Sequence, residues 1–308
     1  MAAFSTTDSN DHDNIIDTNK DNTKHKDKNL IVNCVQSRAP LGLENLTKSG
    51  VAKALTLYGF DFSNNIHLVE LFKFLFHDQT IKDLTIISFG CNSGYLKIFC
   101  ERILQHARCN IESLFLMIQK FVDADHNKEL NHLCFSNLVS MQPKLRHLVI
   151  NIENMGIEYI LPLICALNNN TSLKSLGIRN FNSEYNYSIE SGIITDALTK
   201  MLSNNHTLEE FCYSYHMDGK DIIKIFELPD IRIKKLFLFS SYIKKKHLKK
   251  IANLLKNNTS LISMDIDTED FCSKEYKKAY GSIDNILAEN KKNYMLNQPL
   301  LTRLIDQL

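Results

Sequence analysis

A seven-residue pattern of apolar residues recurs eight times along the chain and constrains the fold more than any other feature. Each copy has apolar residues at its first, fourth and sixth positions, as in Ala52, Leu55 and Leu57. The other copies begin at Ile81, Ile111, Leu145, Leu173, Leu208, Ile233 and Leu261, so that successive starts lie 25 to 35 residues apart. A strand-like pattern at this period predicts a solenoid, in which each repeat buries its core only against its neighbours.

The segments between the copies predict helices. Apolar residues recur in them at spacings of three and four residues, which is the period of an amphipathic helix. The predicted helices cover residues 68–76, 95–108, 157–167, 189–202 and 248–255. We therefore predict an α/β chain in which each repeat is one strand and one helix, and in which the strands are parallel.

Three junctions between a helix and the next strand share a pair of asparagines. Residues 169–173, 204–208 and 257–261 read NNTSL, NNHTL and NNTSL. Asparagine tolerates the left-handed backbone conformation in which many helices end. We expect these asparagines to end the helices in that conformation.

The strand-plus-helix repeat resembles the leucine-rich repeats of the ribonuclease-inhibitor type over about residues 50–293, and the asparagine junctions resemble those of NOD-like receptors and tropomodulin. The resemblance implies a horseshoe solenoid of about eight units, with parallel strands on the concave face and helices on the convex face. The chain departs from that family at the ninth repeat position, where the family favours Asn or Cys. The residues at this position are Phe60, Phe89, Gln119, Glu153, Phe181, His216, Ser241 and Glu269.

Composition divides the chain into four segments. Residues 1–28 are polar and have too few apolar side chains to offset the entropy of ordering, so we predict that they are disordered. We predict an N-terminal cap over residues 29–50, the repeat domain over residues 51–293, and a capping helix or tail over residues 294–308. Within that last segment Leu300, Leu301, Leu304, Ile305 and Leu308 fall on one face of a predicted helix.

No motif of an enzyme or of a cofactor site is recognisable, so we predict neither catalysis nor a cofactor. The P-loop, the dinucleotide fingerprint and the HExxH, GxSxG and paired CxxC motifs are all absent from the sequence. The best metal-like group is His106, Cys109, His126, His132 and Cys134, but its spacing matches no zinc pattern. The eight cysteines sit mostly in apolar runs and indicate reduced core thiols. A metal-dependent enzyme is therefore only the third hypothesis.

The third, fifth and seventh positions of each copy should point away from the helices. They place Tyr58, Ile87, Phe115, Met117 and Val149 in an apolar patch, and Arg179, Lys235, Phe237 and Phe239 in a second, partly charged half. Exposed aromatic and Met side chains are typical of a protein-binding surface. The alternative is that such residues merely suit strands, or that a flanking segment covers them. We predict that these residues bind a partner protein.

The charge balance argues against a nucleic-acid binder. There are 36 Lys and Arg against 35 Asp and Glu, which gives a formal net charge of +1. The basic run at residues 244–250 favours a solvated helix face over an anion-binding site. No apolar stretch is long enough to span a membrane, and the first residues have no Sec-type signal. We predict a cytoplasmic monomer that binds no nucleic acid and does not span a membrane.

These observations together predict a protein–protein interaction module that binds its partner through the concave face. The Asn- and Lys-rich composition with one repeat domain is similar in style to leucine-rich repeat effectors of intracellular bacteria such as Legionella and Coxiella. That similarity implies delivery into the host cytoplasm by a type IV secretion system. The alternative is a eukaryotic cytosolic regulator or a substrate-recognition scaffold of a ubiquitin ligase, although residues 29–50 contain no recognisable F-box.

Overall fold

The structure is a computed structural model of the chain. It describes residues 15–17, 28–34, 41, 43, 52–91, 93–105, 110–119, 132–152, 155–179, 190–215, 217–229, 231–239, 241–266 and 274–297.

A single sheet of parallel strands runs through the described residues, with the strands in the order of the chain. Its nine parallel strands are β2 (Lys28–Asn33), β3 (Ala52–Tyr58), β4 (Asp83–Ser88), β5 (Ser113–Ile118), β6 (His147–Ile152), β7 (Ser175–Arg179), β8 (Glu210–Tyr213), β10 (Lys235–Leu238) and β12 (Ser263–Ile266). A short strand, β1 (Ile15–Asp17), is antiparallel to β2 at one edge. Two further short strands, β9 (Met217–Asp218) and β11 (Ser241–Tyr242), pair with each other outside this sheet.

A helix follows each of the main strands from β3 onward. The helices are α1 (Asn65–His77), α2 (Ser93–Gln105), α3 (Cys134–Met141), α4 (Ile157–Leu167), α5 (Glu190–Asn204), α6 (Gly219–Phe226), α7 (Lys245–Leu255) and α8 (Lys274–Asn297). Consecutive helices contact one another along the array. None of the helices described is both long and apolar enough to cross a membrane.

The apolar anchors of all eight sequence copies lie in the core. Every residue at the first, fourth and sixth positions is at most 7% exposed. The repeated strand-plus-helix α/β architecture that these positions predict is therefore confirmed. A further buried position lies at the eleventh residue of four of the copies, where Phe62, Cys91, Met155 and Ile243 contact the same core.

The sheet begins one strand before the first sequence copy. Leu30 and Val32 of β2 are buried and pair in register with Leu55 and Leu57 of β3. This strand lies in the stretch predicted as an N-terminal cap, and it extends the repeat sheet rather than only covering it. The domain boundaries themselves stay predictions.

β1 lies inside the segment for which the sequence predicts disorder. Its backbone pairs with β2, with Ile15 opposite Val32 and Asp17 opposite Leu30. The physical reason is that an edge strand offers unpaired N–H and C=O groups to any extended segment nearby. The rest of residues 1–27 lies outside the described part of the chain.

The second asparagine of each junction connects one repeat to the repeat before it. The Oδ1 atom of Asn205 accepts hydrogen bonds from the backbone N–H groups of Thr207 and Leu208, at 2.9 and 2.8 Å. Its Nδ2 atom donates to the carbonyl oxygen of Leu167, at the end of the preceding helix, at 2.6 Å. The equivalent Asn170 donates to the Val139 carbonyl at 2.7 Å, and Asn258 donates to the Ile231 carbonyl at 3.4 Å.

The helix ends beside these junctions are right-handed. The C-cap residues Asn168 of α4 and Lys256 of α7 have φ angles of −55° and −58°. These two C-caps are therefore right-handed, and the left-handed conformation expected of the asparagines that follow them stays a prediction. The junction asparagines act through their side-chain amides, as Asx turns that also reach a neighbouring helix.

Charged side chains at the second repeat position link the strands at their amino ends. Glu112 accepts from Lys82 at 2.6 Å. Glu209 lies between Lys174 and Lys234, with N–O distances of 3.4 and 2.7 Å. Lys234 also lies over the ring of Tyr294 in α8, 4.9 Å from the ring centroid, and so ties the last helix to the sheet.

Candidate partner-binding face

The face of the sheet opposite the helices, which we call the open face, consists of three rows of side chains. Strand register defines the rows, because the third, fifth and seventh positions of neighbouring repeats lie side by side. The seventh-position row contains Tyr58, Ile87, Met117, Asn151 and Arg179. The fifth-position row contains Thr56, Thr85, Phe115, Val149, Gly177, Cys212, Phe237 and Asp265. The third-position row contains Ala54, Asp83, Ser113, His147, Ser175, Glu210, Lys235 and Ser263.

The five residues of the predicted apolar patch lie on four consecutive strands. Ile87 pairs with Met117, and Phe115 pairs with Val149, so that two apolar pairs stand in neighbouring rows. Tyr58 is 43% exposed, whereas the other four side chains are half-buried. The register thus joins the predicted residues into one surface.

Phe89 extends this patch beyond the end of β4. Its ring meets the ring of Tyr58 edge to face, with centroids 5.6 Å apart, and it is 44% exposed. The two loops beyond β3 and β4 line a cleft of about 420 Å³ that includes Phe89, Phe60, Asp61 and Tyr95. Sequence reasoning noted Phe89 only as a departure at the ninth repeat position. The clue was present, since a large apolar residue there either enters the core, as Phe60 does, or remains exposed.

Asn151 and Arg179 interrupt the apolar part of the seventh-position row. Asn151 is only 2% exposed, and among the residues described no donor bonds to its Oδ1 atom. Arg179 is exposed at the end of the next strand. Burial raises the pKa of the Cys212 thiol on β8, and the nearby Arg179 guanidinium partly opposes that effect. Sequence reasoning placed Asn151 on this face but did not select it, because burial of a seventh-position residue depends on its neighbours.

Gly177 brings the backbone of β7 close to a neighbouring side chain. A Cβ atom built there would lie 3.3 Å from both methyl carbons of Val149. The Val149 side chain therefore leans over Gly177, next to Arg179 in the adjoining row. The centre of the open face is apolar at its floor and polar at its rim.

The second predicted half of the face is divided by β8. Cys212 lies between Gly177 and Phe237 in the fifth-position row, so Phe237 and Phe239 form a separate apolar group on and just beyond β10. Lys235 pairs with Glu210, with an N–O distance of 2.5 Å. This ion pair makes Lys235 a weaker candidate for contact with a partner than its sequence position predicts.

The metal-like group is only partly described. His106, Cys109 and His126 lie outside the described residues, whereas Cys134 is buried and hydrogen-bonds to Cys100. That hydrogen bond, together with burial, raises the pKa of the Cys100 thiol well above its usual range. In the part of the chain that the structure describes, no group of three His, Cys, Asp or Glu side chains could hold a metal ion.

The basic run at residues 244–250 forms the start of α7. Lys250 pairs with Glu227 at 2.6 Å. The His247 ring accepts a hydrogen bond from the Lys244 backbone N–H at 3.4 Å and so caps the helix. Burial and the surrounding lysines, Lys246 first among them, lower the pKa of His247.

Comparison with known proteins identifies no family for this chain. No family model matches the chain. No curated protein matches it. Among solved structures, 51 chains match. One of them is a structure described as leiomodin-1 actin-binding site 2, with 20% sequence identity and a TM-score of 0.41, over 54% of this chain and 88% of that one.

Proposed function

We propose that this chain is a leucine-rich repeat protein of the ribonuclease-inhibitor type, and that the open face is the concave surface of a horseshoe on which a partner protein binds. The proposal rests on one observation, namely that Tyr58, Ile87, Phe115, Met117 and Val149 adjoin on a sheet face where, among the described residues, they stay exposed or half-buried. Aromatic and Met side chains at the centre of an exposed surface are typical of residues that dominate binding energy. Solenoids present such a face because their helices occupy the other side.

Partner binding on this face would combine many small contacts with a few anchors. Phe115 and Met117 are the central anchors, because they lie on the same strand and each has an apolar neighbour on an adjacent strand, Val149 and Ile87 respectively. Arg179, Phe237 and Phe239 add polar and aromatic contacts beyond the patch. Lys235 is a lesser contributor, since it already pairs with Glu210.

A paired set of double variants tests the proposal. Phe115→Ala with Met117→Ala removes the central anchors, whereas Phe76→Ala with Met141→Ala removes the same side-chain types from exposed positions on α1 and α3. Partners captured from cell lysate should be lost with the first pair and retained with the second. The urea unfolding midpoint of each double variant shows whether the fold is intact. An unchanged set of captured partners for a folded Phe115/Met117 variant would contradict the proposal.

The cellular setting stays a prediction from composition. We propose a bacterial effector delivered into host cytoplasm, with a eukaryotic cytosolic regulator or ubiquitin-ligase scaffold as the alternative. A translocation reporter fused to the chain, with and without residues 298–308, tests the first of these. Those residues lie outside the described part of the chain.

A further inference from the structure

We propose that the partner presents an acidic side chain to Arg179, beside an apolar side chain that lies on Met117 and Val149. The inference rests on the proposed function and adds the chemistry of the partner segment. The occupant is therefore a protein segment in which Asp or Glu stands close to an aliphatic or aromatic residue.

Within the part of the chain that the structure describes, Arg179 is a cation at the centre of the open face without a carboxylate partner. It is exposed, and among the described residues no carboxylate pairs with it. The other cation of the second half, Lys235, is already paired with Glu210. Glu210 stands at the third position of β8, roughly 13 Å along the strand direction from the level of Arg179. Asp83 and Asp265 are each three strands away, roughly 14 Å, where salt screens a surface interaction.

Asn151 places a second, independent requirement on the partner segment, namely a hydrogen-bond donor. Its Oδ1 atom accepts no hydrogen bond within the described residues, and such a buried acceptor is costly to leave unpaired. Met117 and Arg179 stand on either side of it in the same row, and both have long, flexible side chains. An N–H group of an incoming segment can reach this oxygen once those two side chains move apart. A segment that offers a carboxylate and an adjacent N–H donor meets both requirements.

The floor of this site suits an apolar group. Val149 leans over Gly177, and Phe115 and Met117 continue the same surface toward β5. An aliphatic or aromatic side chain next to the acid would cover these residues and exclude water from the Arg179 ion pair. Exclusion of water strengthens a charge-assisted hydrogen bond.

A polyanion fits this face less well than a protein segment does. Nucleic acids and anionic membranes bind through many cations that act together. Arg179 is the one Lys or Arg on the described open face that lacks an ion pair. A single carboxylate therefore matches the charge of the site better than a row of phosphates does.

Selection from a random dodecapeptide library displayed on phage tests the inference. The full chain should select peptides with Asp or Glu beside Leu, Ile or Phe, and the Phe115/Met117 double variant should not bind them. Arg179→Glu should reverse the preference to Lys or Arg at the acidic position. Lys235→Glu makes the same charge change at a paired lysine and should keep the original preference.

The affinity of each variant for a selected synthetic peptide measures the contribution of each residue. Arg179→Ala should weaken it about tenfold, which is the scale of one charge-assisted contact. Asn151→Leu should weaken it severalfold while the unfolding midpoint stays the same or rises, because the unpaired oxygen is removed. Peptides that need Phe115 and Met117 but show no acidic preference would overturn this inference and leave the proposed function standing. Peptides that bind without Phe115 and Met117, or vesicles of phosphatidylserine that bind in their place through Arg179, would overturn both.

Discussion

The side chain of Asn205 donates a 2.6 Å hydrogen bond to the carbonyl oxygen of Leu167, and so joins the end of one helix to the turn of the next repeat. Gln142 makes the same kind of contact two repeats earlier, with the Ile103 carbonyl at 2.6 Å. Asn290 of the last helix donates to the carbonyls of Asn258 and Leu261. These side-chain amides connect adjacent repeats, because each joins residues that are far apart in the sequence.

Replacement of Asn205 should therefore be costly. Asn205→Ala leaves two turn N–H groups without their acceptor and removes one of the two hydrogen bonds to the Leu167 carbonyl, so we expect the free energy of unfolding to fall by about 2–3 kcal/mol. Asn204→Ala is the matched control, because that side chain is exposed and should change stability by less than about 0.5 kcal/mol. Urea denaturation measures both. Equal effects of the two substitutions would show that the Asn205 amide contact does not contribute to stability.

Glu209 should make stability depend on pH. Burial raises its pKa, but hydrogen bonds and charge from Lys234 and Lys174 outweigh burial, and the net pKa is lowered. A lowered pKa in the folded state means that this stabilisation is present above the unfolded value, near 4.5, and is lost as the pH falls below it. Because Glu209 is more than a third exposed, we expect its ion pairs to contribute only about a few tenths of a kcal/mol to the free energy of unfolding.

Glu209→Gln measures that contribution directly. Its stability deficit relative to the parent should be present at pH 7 and diminish as the pH falls below about 4.5, and it should shrink in high salt. Glu289→Gln, at an exposed site without an ion pair among the described residues, is the matched control for the substitution itself. A Glu209→Gln deficit that is constant from pH 7 to pH 3 would disprove the assignment.

Adjacent residues of β5 should respond differently to truncation. Leu116 is fully buried against the helices, so Leu116→Ala should cost about 2–5 kcal/mol. Met117 points to the open face and is half-buried, so Met117→Ala should cost about 1 kcal/mol or less. Thermal or urea unfolding of the two variants compares the stability lost on the helix-covered face with that lost on the open face. Similar losses would mean that the open face is packed in solution.

The contact between Gly177 and Val149 predicts a coupling. In an ordinary strand Gly→Ala is favourable by about 0.5–1 kcal/mol, but here the new methyl group would meet the Val149 methyls at 3.3 Å. We expect Gly177→Ala alone to be neutral or mildly destabilising. In a Val149→Ala background the same change should be stabilising. A double-mutant cycle measures the difference, and simple additivity would contradict the close approach.

The sequence was sufficient for the repeated architecture because the buried positions follow a fixed period. The burial of each residue at the first, fourth and sixth positions follows from the pattern of its own strand, so the local sequence identifies it. Contacts between repeats are different, since the pairing of Lys235 with Glu210 depends on the register between β8 and β10. The burial of Asn151 likewise depends on neighbouring strands, and no local pattern predicts it.

The junction asparagines were predicted only in part. Their recurrence correctly indicated a turn between each helix and the next strand. Their side-chain hydrogen bonds were not predicted, because a single sequence suggests backbone preferences more readily than a side-chain bond to a residue 38 positions away. The strand β2 was missed for a related reason, since Leu30 and Val32 alone are too short a pattern to distinguish from a cap.

The antiparallel strand β1 also determines how the array can be extended. A parallel repeat can be added only where an edge strand has free backbone groups facing outward, and β1 occupies that position beside β2. Duplication of repeats at the amino-terminal end would require β1 to be displaced first. Addition of a parallel repeat directly beside β2 is therefore blocked as long as β1 stays paired, and β1 likewise keeps the β2 edge from pairing with a strand of a second molecule.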